Sequence, residues 1–161
     1  MASTRVVHYD IKADNLLLQP LPGTSDDAFA RPPTPHPPFD LVLADFGESR
    51  RFHPDEEPIT SRNRGTECIK SPEMLQVANA TKKGRANFDR RRKEGAGAAS
   101  DVWSLGCLLY ELVVGDFLYH DPDWIRFFFR VTRANEDILP PDKASVRRCI
   151  CVHVQGEMLC V

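Results

Sequence analysis

The sequence predicts an α+β domain, mainly α-helical, with one small β-hairpin. Two short apolar runs flank a proline-rich stretch, a strongly apolar segment of helical length follows in the second half, and a shorter segment after it carries one apolar stripe. The chain has 161 residues, enough for one ordinary domain and few for two. Hydrophobic residues make up 42% and charged residues 27%, the balance of a soluble globular chain. A formal net charge of -2 gives no general pull towards nucleic acid or an anionic membrane.

Taken in chain order, the first elements are the two runs Leu16, Leu17, Leu18 and Leu41, Val42, Leu43, which read as the strands of a hairpin with a long loop. The loop, residues 19–38, holds seven of the thirteen prolines. Proline fixes φ and lacks an N–H, so this insertion favours an extended surface conformation. A spacer is the simpler reading, and a ligand for a proline-reading module the sharper one. Residues 77–100 read as a second insertion, a solvated loop with Lys82, Lys83, Arg85, Arg90, Arg91, Arg92 and Lys93 close together. The expected location is the cytoplasm, with this basic run a weak candidate for nuclear import.

Residues 100–114 read as a helix apolar on nearly every face, and therefore central. Ser100 or Asp101 is placed to cap its start and Gly115 to stop it. Within 102–119, Glu111 and Asp116 interrupt the most apolar stretch, which argues for a buried helix and against a membrane span. Residues 123–133 read as a second helix, with Trp124, Phe127, Phe128 and Val131 at i, i+3, i+4 and i+7. The five cysteines at 68, 107, 149, 151 and 160 are odd in number and scattered, and no signal peptide is visible, so a reducing compartment fits. Cys149, Cys151 and His153 lack the spaced second half of a metal site and read as ordinary thiols and imidazole.

Four motifs carry the chemistry. His8-Tyr9-Asp10-Ile11-Lys12-Ala13-Asp14-Asn15 comes first, then Asp45-Phe46-Gly47 at the end of the second strand. Gly65-Thr66 with Ser71-Pro72-Glu73 is third, and Asp101-Val102-Trp103-Ser104-Leu105-Gly106 opens the central helix. Singly each is weak, and Asp10 and Asp45 alone would read as turn residues. Together, in this order and with the first two on either side of the hairpin, they resemble the catalytic half of a eukaryotic protein kinase of the Ser/Thr type. The match runs from residue 6 to about residue 131.

The resemblance implies a protein-kinase-like fold, carboxyl-terminal lobe only, with the hairpin at the catalytic cleft. Residues 1–161 then form a partial kinase domain with insertions at 19–38 and 77–100 and an unassigned tail at 134–161. It implies transfer of the ATP γ-phosphoryl group to Ser or Thr hydroxyls of a protein substrate, with ATP and Mg²⁺ as cofactors. Asp10 would orient the substrate hydroxyl and accept its proton. Lys12 would offset phosphoryl charge in the nucleotide site, and Thr66 would bond both. Asn15 and Asp45 would supply oxygen ligands to magnesium, a hard ion. Gly47 would let the backbone turn sharply after Asp45. Glu73 and Asp101 would be structural, Glu73 as one half of a buried ion pair and Asp101 as an acceptor for the catalytic-loop backbone. Arg147 and Arg148 are the candidate partners of Glu73. An unconventional pairing, a solvated carboxylate and a missing carboxyl terminus all stay open. The helix at 123–133 falls where the family often docks substrates or regulators, although core packing explains its stripe more simply. No membrane or nucleic-acid partner is expected.

Tyr9 stands where most regulated kinases place an arginine that receives an activation-segment phosphate. Tyrosine supplies no cation, so activity is expected without phosphorylation of segment 45–73, whose hydroxyls are Ser49, Thr60, Ser61, Thr66 and Ser71. The 161 residues contain no glycine-rich phosphate loop and no strand lysine with its glutamate partner. Each large apolar side chain left exposed by a missing lobe forfeits about 1.5–3 kcal/mol, against a margin of about 5–15 kcal/mol for a domain. An active kinase seen as a fragment leads these expectations. A kinase-derived interaction module without activity, and a decayed gene with an out-of-frame tail at 149–161, are the alternatives.

Overall fold

In the computed structural model, residues 5–23, 39–82, 95–133, 151–154 and 157–160 are described, with the side chains of 78–82 and 151–160 excepted. The predicted hairpin is present. Strand β2 (Leu16–Pro20) pairs antiparallel with β3 (Phe39–Leu43), Leu16 opposite Leu43 and Pro20 opposite Phe39. The first insertion is therefore shorter than read from sequence, because residues 19 and 20 belong to β2. Pro20 is tolerated there as the last residue of its strand.

A second pairing escaped sequence reading. Strand β1 (Arg5–Val7) runs antiparallel to β4 (Arg50–Phe52), with Val7 opposite Arg50 and Arg5 opposite Phe52. Three residues are too short for a period-2 pattern to show. Burial holds this pair: Val7 and Phe52 join Tyr9, Met74 and Ala96 in one apolar cluster. The Arg50 guanidinium covers the Phe52 ring at 4.6 Å and pairs with Glu56. The β1–β4 ladder thus brings together the start of the first motif and the chain leaving the second.

Three helices follow: α1 (Pro72–Lys82), α2 (Ala99–Val114) and α3 (Trp124–Thr132). Pro72 opens α1, where its missing N–H costs nothing. Gly115 ends α2 at φ 79°, donating its N–H to Glu111 O as the predicted left-handed cap. Asp123 caps α3, its carboxylate accepting from the N–H groups of Ile125 and Arg126. The expected cap on α2 is corrected. Ala98 occupies that position without a side-chain bond, and Ser100 and Asp101 lie in the first turn with both side chains committed elsewhere.

Helix α2 is central over its first part only. Ser104, Gly106, Cys107, Leu108 and Tyr110 are buried, whereas Leu112 and Val113 are exposed. The main core joins Cys107 and Tyr110 of α2, Leu75 of α1, and Phe127 and Val131 of α3, with Ile69, Leu118 and Tyr119. Of the predicted α3 stripe, Phe127 and Val131 are buried and Trp124 and Phe128 half-buried, stacked on each other at 5.1 Å. The stripe is core packing, shared between α1 and α2.

Parts of 77–100, read as a solvated loop, are helical or buried. Helix α1 runs through Lys82, Val77 is buried, and residues 99 and 100 begin α2. Ahead of α2, Ala96 is fully buried and exchanges two backbone hydrogen bonds with Thr60, at 2.8 and 3.0 Å. Glycine is required on both sides of it. A Cβ on Gly95 would stand 2.8 Å from Thr60 O, and one on Gly97 2.9 Å from Pro58 O. Most of the basic run, residues 83–94, lies outside the described residues, as do Arg147, Arg148 and Cys149. Part of the unassigned tail forms a hairpin, β5 (Cys151–Val154) paired antiparallel with β6 (Glu157–Cys160). No helix among the described residues is long and apolar enough to cross a membrane.

Candidate active site

Strand β1 delivers the chain into residues 8–15, and a short 3₁₀ turn, Ala13–Asn15, returns it to β2. Asp10 lies at the centre and is buried. Its Oδ1 accepts from the Thr66 N–H at 2.8 Å and from the Thr66 hydroxyl at 2.7 Å. Its Oδ2 accepts from Asn15 Nδ2 at 3.1 Å and pairs with Lys12 Nζ at 3.2 Å. Lys12 Nζ also donates to Thr66 Oγ1 at 2.8 Å. Burial pushes the Asp10 carboxyl up, but the Thr66 hydroxyl and N–H and the Lys12 ammonium outweigh it and hold the group below the usual aspartate range. Asp10 is therefore a carboxylate at neutral pH, able to orient a hydroxyl and accept from it.

Four of the predicted site residues are thus brought together, with Lys12, Asn15 and Thr66 each bonded to Asp10. Asp45 sits beside them. Ala44 N–H donates to Asn15 O at 2.8 Å, which fixes the end of β3 against the catalytic loop. The Asp45 side chain is exposed and accepts from Gly47 N–H at 3.1 Å. The expectation for Gly47 is corrected: Asp45 itself takes the left-handed conformation, φ 56°, and Gly47 does not. Aspartate tolerates this region better than most residues, and here its carboxylate bonds the backbone two residues on. A Cβ on Gly47 would approach Asp45 Oδ1 to 3.1 Å, so glycine keeps room for that carboxylate.

This donor set fits magnesium. Asn15 turns its amide nitrogen to Asp10, bonding Asp10 O at 2.8 Å, which leaves its amide oxygen on the opposite side. Asp45 offers an exposed carboxylate from the adjoining segment. Both are hard oxygen ligands, and an ion that keeps several waters needs few from the protein.

Asp101 ties the loop from beneath. Its Oδ2 accepts from His8 N–H and its Oδ1 from Tyr9 N–H, each at 2.7 Å. His8 links both motifs, with Nε2 3.1 Å from Ala44 O, Nδ1 accepting from Asp10 N–H at 3.3 Å, and its ring edge-on to Phe46 at 4.8 Å. Glu73 lies in a serine network, in which Ser100 Oγ donates to Glu73 Oε1 at 3.2 Å and lies 2.9 Å from Ser71 Oγ; its candidate partners Arg147 and Arg148 lie outside the described residues.

Three residues make structural contacts that sequence reading did not give. Tyr9 is buried with φ 65°, and its hydroxyl donates to Ala96 O at 2.9 Å. Burial, then the Asp101 carboxylate, pushes the Tyr9 phenol up to about 12. Gly65, φ 77°, presses on Tyr9 O so closely that a Cβ would stand 2.1 Å away. Arg64 lies over the Tyr9 ring at 6.0 Å and donates to Glu48 O at 2.9 Å. Tyr9 left a signal by standing where an arginine is usual and Gly65 as the residue before Thr66, whereas Arg64 left none.

The protein kinase domain family matches residues 1–145. The chain is 53% identical over 142 residues to a probable serine/threonine-protein kinase of Dictyostelium discoideum, a match covering 88% of this chain and 6% of that protein. It is 30% identical to serine/threonine-protein kinase ATG1 of Mycosarcoma maydis, covering 90% of this chain and 12% of the relative. It is also 30% identical to atg1 of Schizosaccharomyces pombe, covering 91% and 16%. The chain therefore spans less than a fifth of the length of each of these relatives. With the family matched over most of its length and the four motifs gathered around Asp10, the chain belongs to the eukaryotic protein kinases of the serine/threonine type.

Proposed function

We propose that this chain forms the catalytic-loop half of a Ser/Thr protein kinase, a carboxyl-terminal lobe that transfers the ATP γ-phosphoryl group to protein hydroxyls. The observation that carries this reading is the Asp10 carboxylate, held by Thr66, Asn15 and Lys12 from segments up to 56 residues apart. An aspartate that only ended a turn would need none of these partners. Bound Mg²⁺ would neutralise phosphate charge, with Asn15 and Asp45 as its ligands. Asp10 orients the acceptor Ser or Thr hydroxyl and takes its proton. Lys12 sets a positive charge beside the same carboxylate, where transferring phosphate would gather negative charge. Thr66 fixes both side chains. The nucleotide cradle would come from outside these 161 residues, which contain no glycine-rich phosphate loop.

A second reading is an interaction module without activity. Apolar side chains exposed along the hairpin, Leu17, Leu18, Leu41 and Val42, favour it as a docking face. The discriminating experiment is phosphoryl transfer from labelled ATP to Ser and Thr peptides by the natural protein and its Asp10→Asn variant. Loss of about a hundredfold or more in Asp10→Asn, with magnesium-dependent ATP binding retained, is expected for a base in the transition state. Equal rates for the two proteins would refute the assignment. Magnesium-dependent binding without any transfer would favour the module.

A further inference from the structure

Arg64 stands two residues before Thr66, and its side chain is only 13% exposed. A long charged side chain is seldom so far buried unless it is paired. Its partners here are not those of an ion pair. Nη1 donates to the backbone carbonyl of Glu48 at 2.9 Å, whereas the Glu48 carboxylate lies 3.9 Å away and is 48% exposed. The guanidinium carbon lies 6.0 Å from the centre of the Tyr9 ring. Nε is buried and has no hydrogen-bond partner among the described residues.

The firm contacts of Arg64 are therefore a carbonyl and an aromatic face, both neutral. A buried donor without a partner works against stability, so stability alone does not account for this side chain. Its place does. Glu48 follows Asp45-Phe46-Gly47, Tyr9 precedes Asp10, and Thr66 is two residues along from Arg64 itself. One side chain thus reaches a residue beside Asp10 and a residue beside the Asp45 motif, from the segment that carries Thr66. The backbone is anchored at the same point. Arg64 N–H donates to Met74 Sδ at 3.4 Å, and Met74 shares a buried cluster with Tyr9. Gly65 then presses on the Tyr9 carbonyl. Truncating the Arg64 side chain releases Glu48 and the Tyr9 ring but leaves these backbone anchors in place.

We propose that Arg64 is a positioning residue, which clamps the Asp45 segment and the catalytic loop to the segment carrying Thr66. It acts through Asp45, Asp10 and Thr66 and takes no part in the chemistry itself. The proposal rests on the phosphoryl-transfer reading, and its test includes a measurement that needs no transfer.

The variants are Arg64→Gln, Arg64→Lys and Glu48→Gln, each in the full natural protein. The Thr66 N–H donates to Asp10 Oδ1, so its hydrogen exchange reports the clamp directly. Arg64→Gln should speed that exchange by about tenfold, with the amides of α3 changed only as far as global stability is. It should lower kcat by about tenfold and leave the peptide KM within about twofold. Arg64→Lys keeps the charge but cannot span both the carbonyl and the ring, so its losses should be intermediate. Glu48→Gln keeps the carbonyl and should match the natural protein in both measurements. High salt should not reproduce the Arg64→Gln losses, because the partners are neutral.

Thr66 exchange that stays at the natural rate in both Arg64 variants, whatever happens to the thermal midpoint, would overturn the proposal and leave Arg64 a stability residue. Losses in Glu48→Gln as large as in Arg64→Gln would overturn it too, by making the contact an ion pair. Should Arg64→Gln not fold, Arg64→Lys decides on the same readouts. Transfer at the natural kcat in Arg64→Gln refutes the clamp and keeps the kinase. Faster Thr66 exchange in a protein that transfers nothing keeps the clamp and refutes the activity.

Discussion

Removing the Asp101 carboxylate is expected to loosen the catalytic loop more than any exposed change nearby. Asp101 accepts two backbone hydrogen bonds, from His8 and Tyr9, both at 2.7 Å. Each donor belongs to a residue that is only 3% exposed. A hydrogen bond to a charged group contributes about 1.5–3 kcal/mol, and a buried donor left without a partner costs a similar amount. Asp101→Ala should therefore destabilise the loop by about 3–6 kcal/mol. Tyr9 adds to this, because its left-handed backbone costs about 1–3 kcal/mol and is held in place by those bonds. Released from Asp101, it has every reason to relax to negative φ. Asp101→Asn keeps one acceptor oxygen but turns a donor towards the second N–H, so roughly half the loss is expected.

Amide hydrogen exchange followed residue by residue is the assay, with urea midpoints alongside. A loss of about 3 kcal/mol corresponds to exchange faster by about a hundredfold at His8 and Tyr9. The amides of α3 should change only as far as global stability does. Protection at His8 and Tyr9 that survives in Asp101→Ala, with less than about 1 kcal/mol lost overall, would refute this reasoning.

Two further outcomes are expected. Thr66→Val removes the hydroxyl that bonds both Asp10 and Lys12 while keeping volume, so the Asp10 pKa should rise towards the usual range, and transfer should slow by about ten- to a hundredfold. Because folding lowers that pKa, the stabilisation from Thr66 is present above the unfolded pKa and lost as pH falls through the folded one. The stability gap between Thr66→Val and the natural protein should therefore be widest near neutrality and close in acid, which carboxyl NMR titration and urea midpoints at several pH values would check. Thr60→Ala combined with Ser61→Ala should retain activity within about threefold, since Thr60 is fully buried and out of reach of a modifying enzyme, its backbone held by Ala96. Collapse of the rate in that pair would show that a hydroxyl in this segment must be modified.

The legible parts of this molecule were those set by local pattern. Helix α3 followed from one apolar stripe, and the β2–β3 hairpin from two apolar runs. The residues around Asp10 were legible because the chemistry demands particular side chains at close spacing. Of what joins them, the resemblance gave the Asp101 bond to the loop backbone, which spans 92 residues to Tyr9, but not the bond from Tyr9 to Ala96 across 87. No periodicity encodes such a bond. The Thr60–Ala96 bridge hid inside a stretch whose glycines and charges resemble a solvated loop. Glycine there serves close packing, and composition does not separate that use from flexibility. The bond from the Ser100 hydroxyl to Glu73, across 27 residues, was hidden for the same reason.

These long-range contacts give the tyrosine in the catalytic loop a physical meaning. An arginine at that place would present a cation to a phosphate. Tyr9 instead sends its hydroxyl to Ala96 O, the same carbonyl that accepts from Thr60 N–H, and so ties the catalytic loop to segment 45–73 without any added charge. Gly65 closes the interlock from the other side, where the Tyr9 carbonyl leaves no room for a Cβ. The neighbouring Thr66 is thereby set against Asp10. Beside the Lys12 ion pair and the Asp101 carboxylate, the position of Asp10 thus depends on neutral packing and backbone bonds, which salt does not screen and phosphatases do not reverse. A chain built this way holds Thr66 on Asp10 as a property of its fold, so control of the proposed activity is expected to act elsewhere than on this contact.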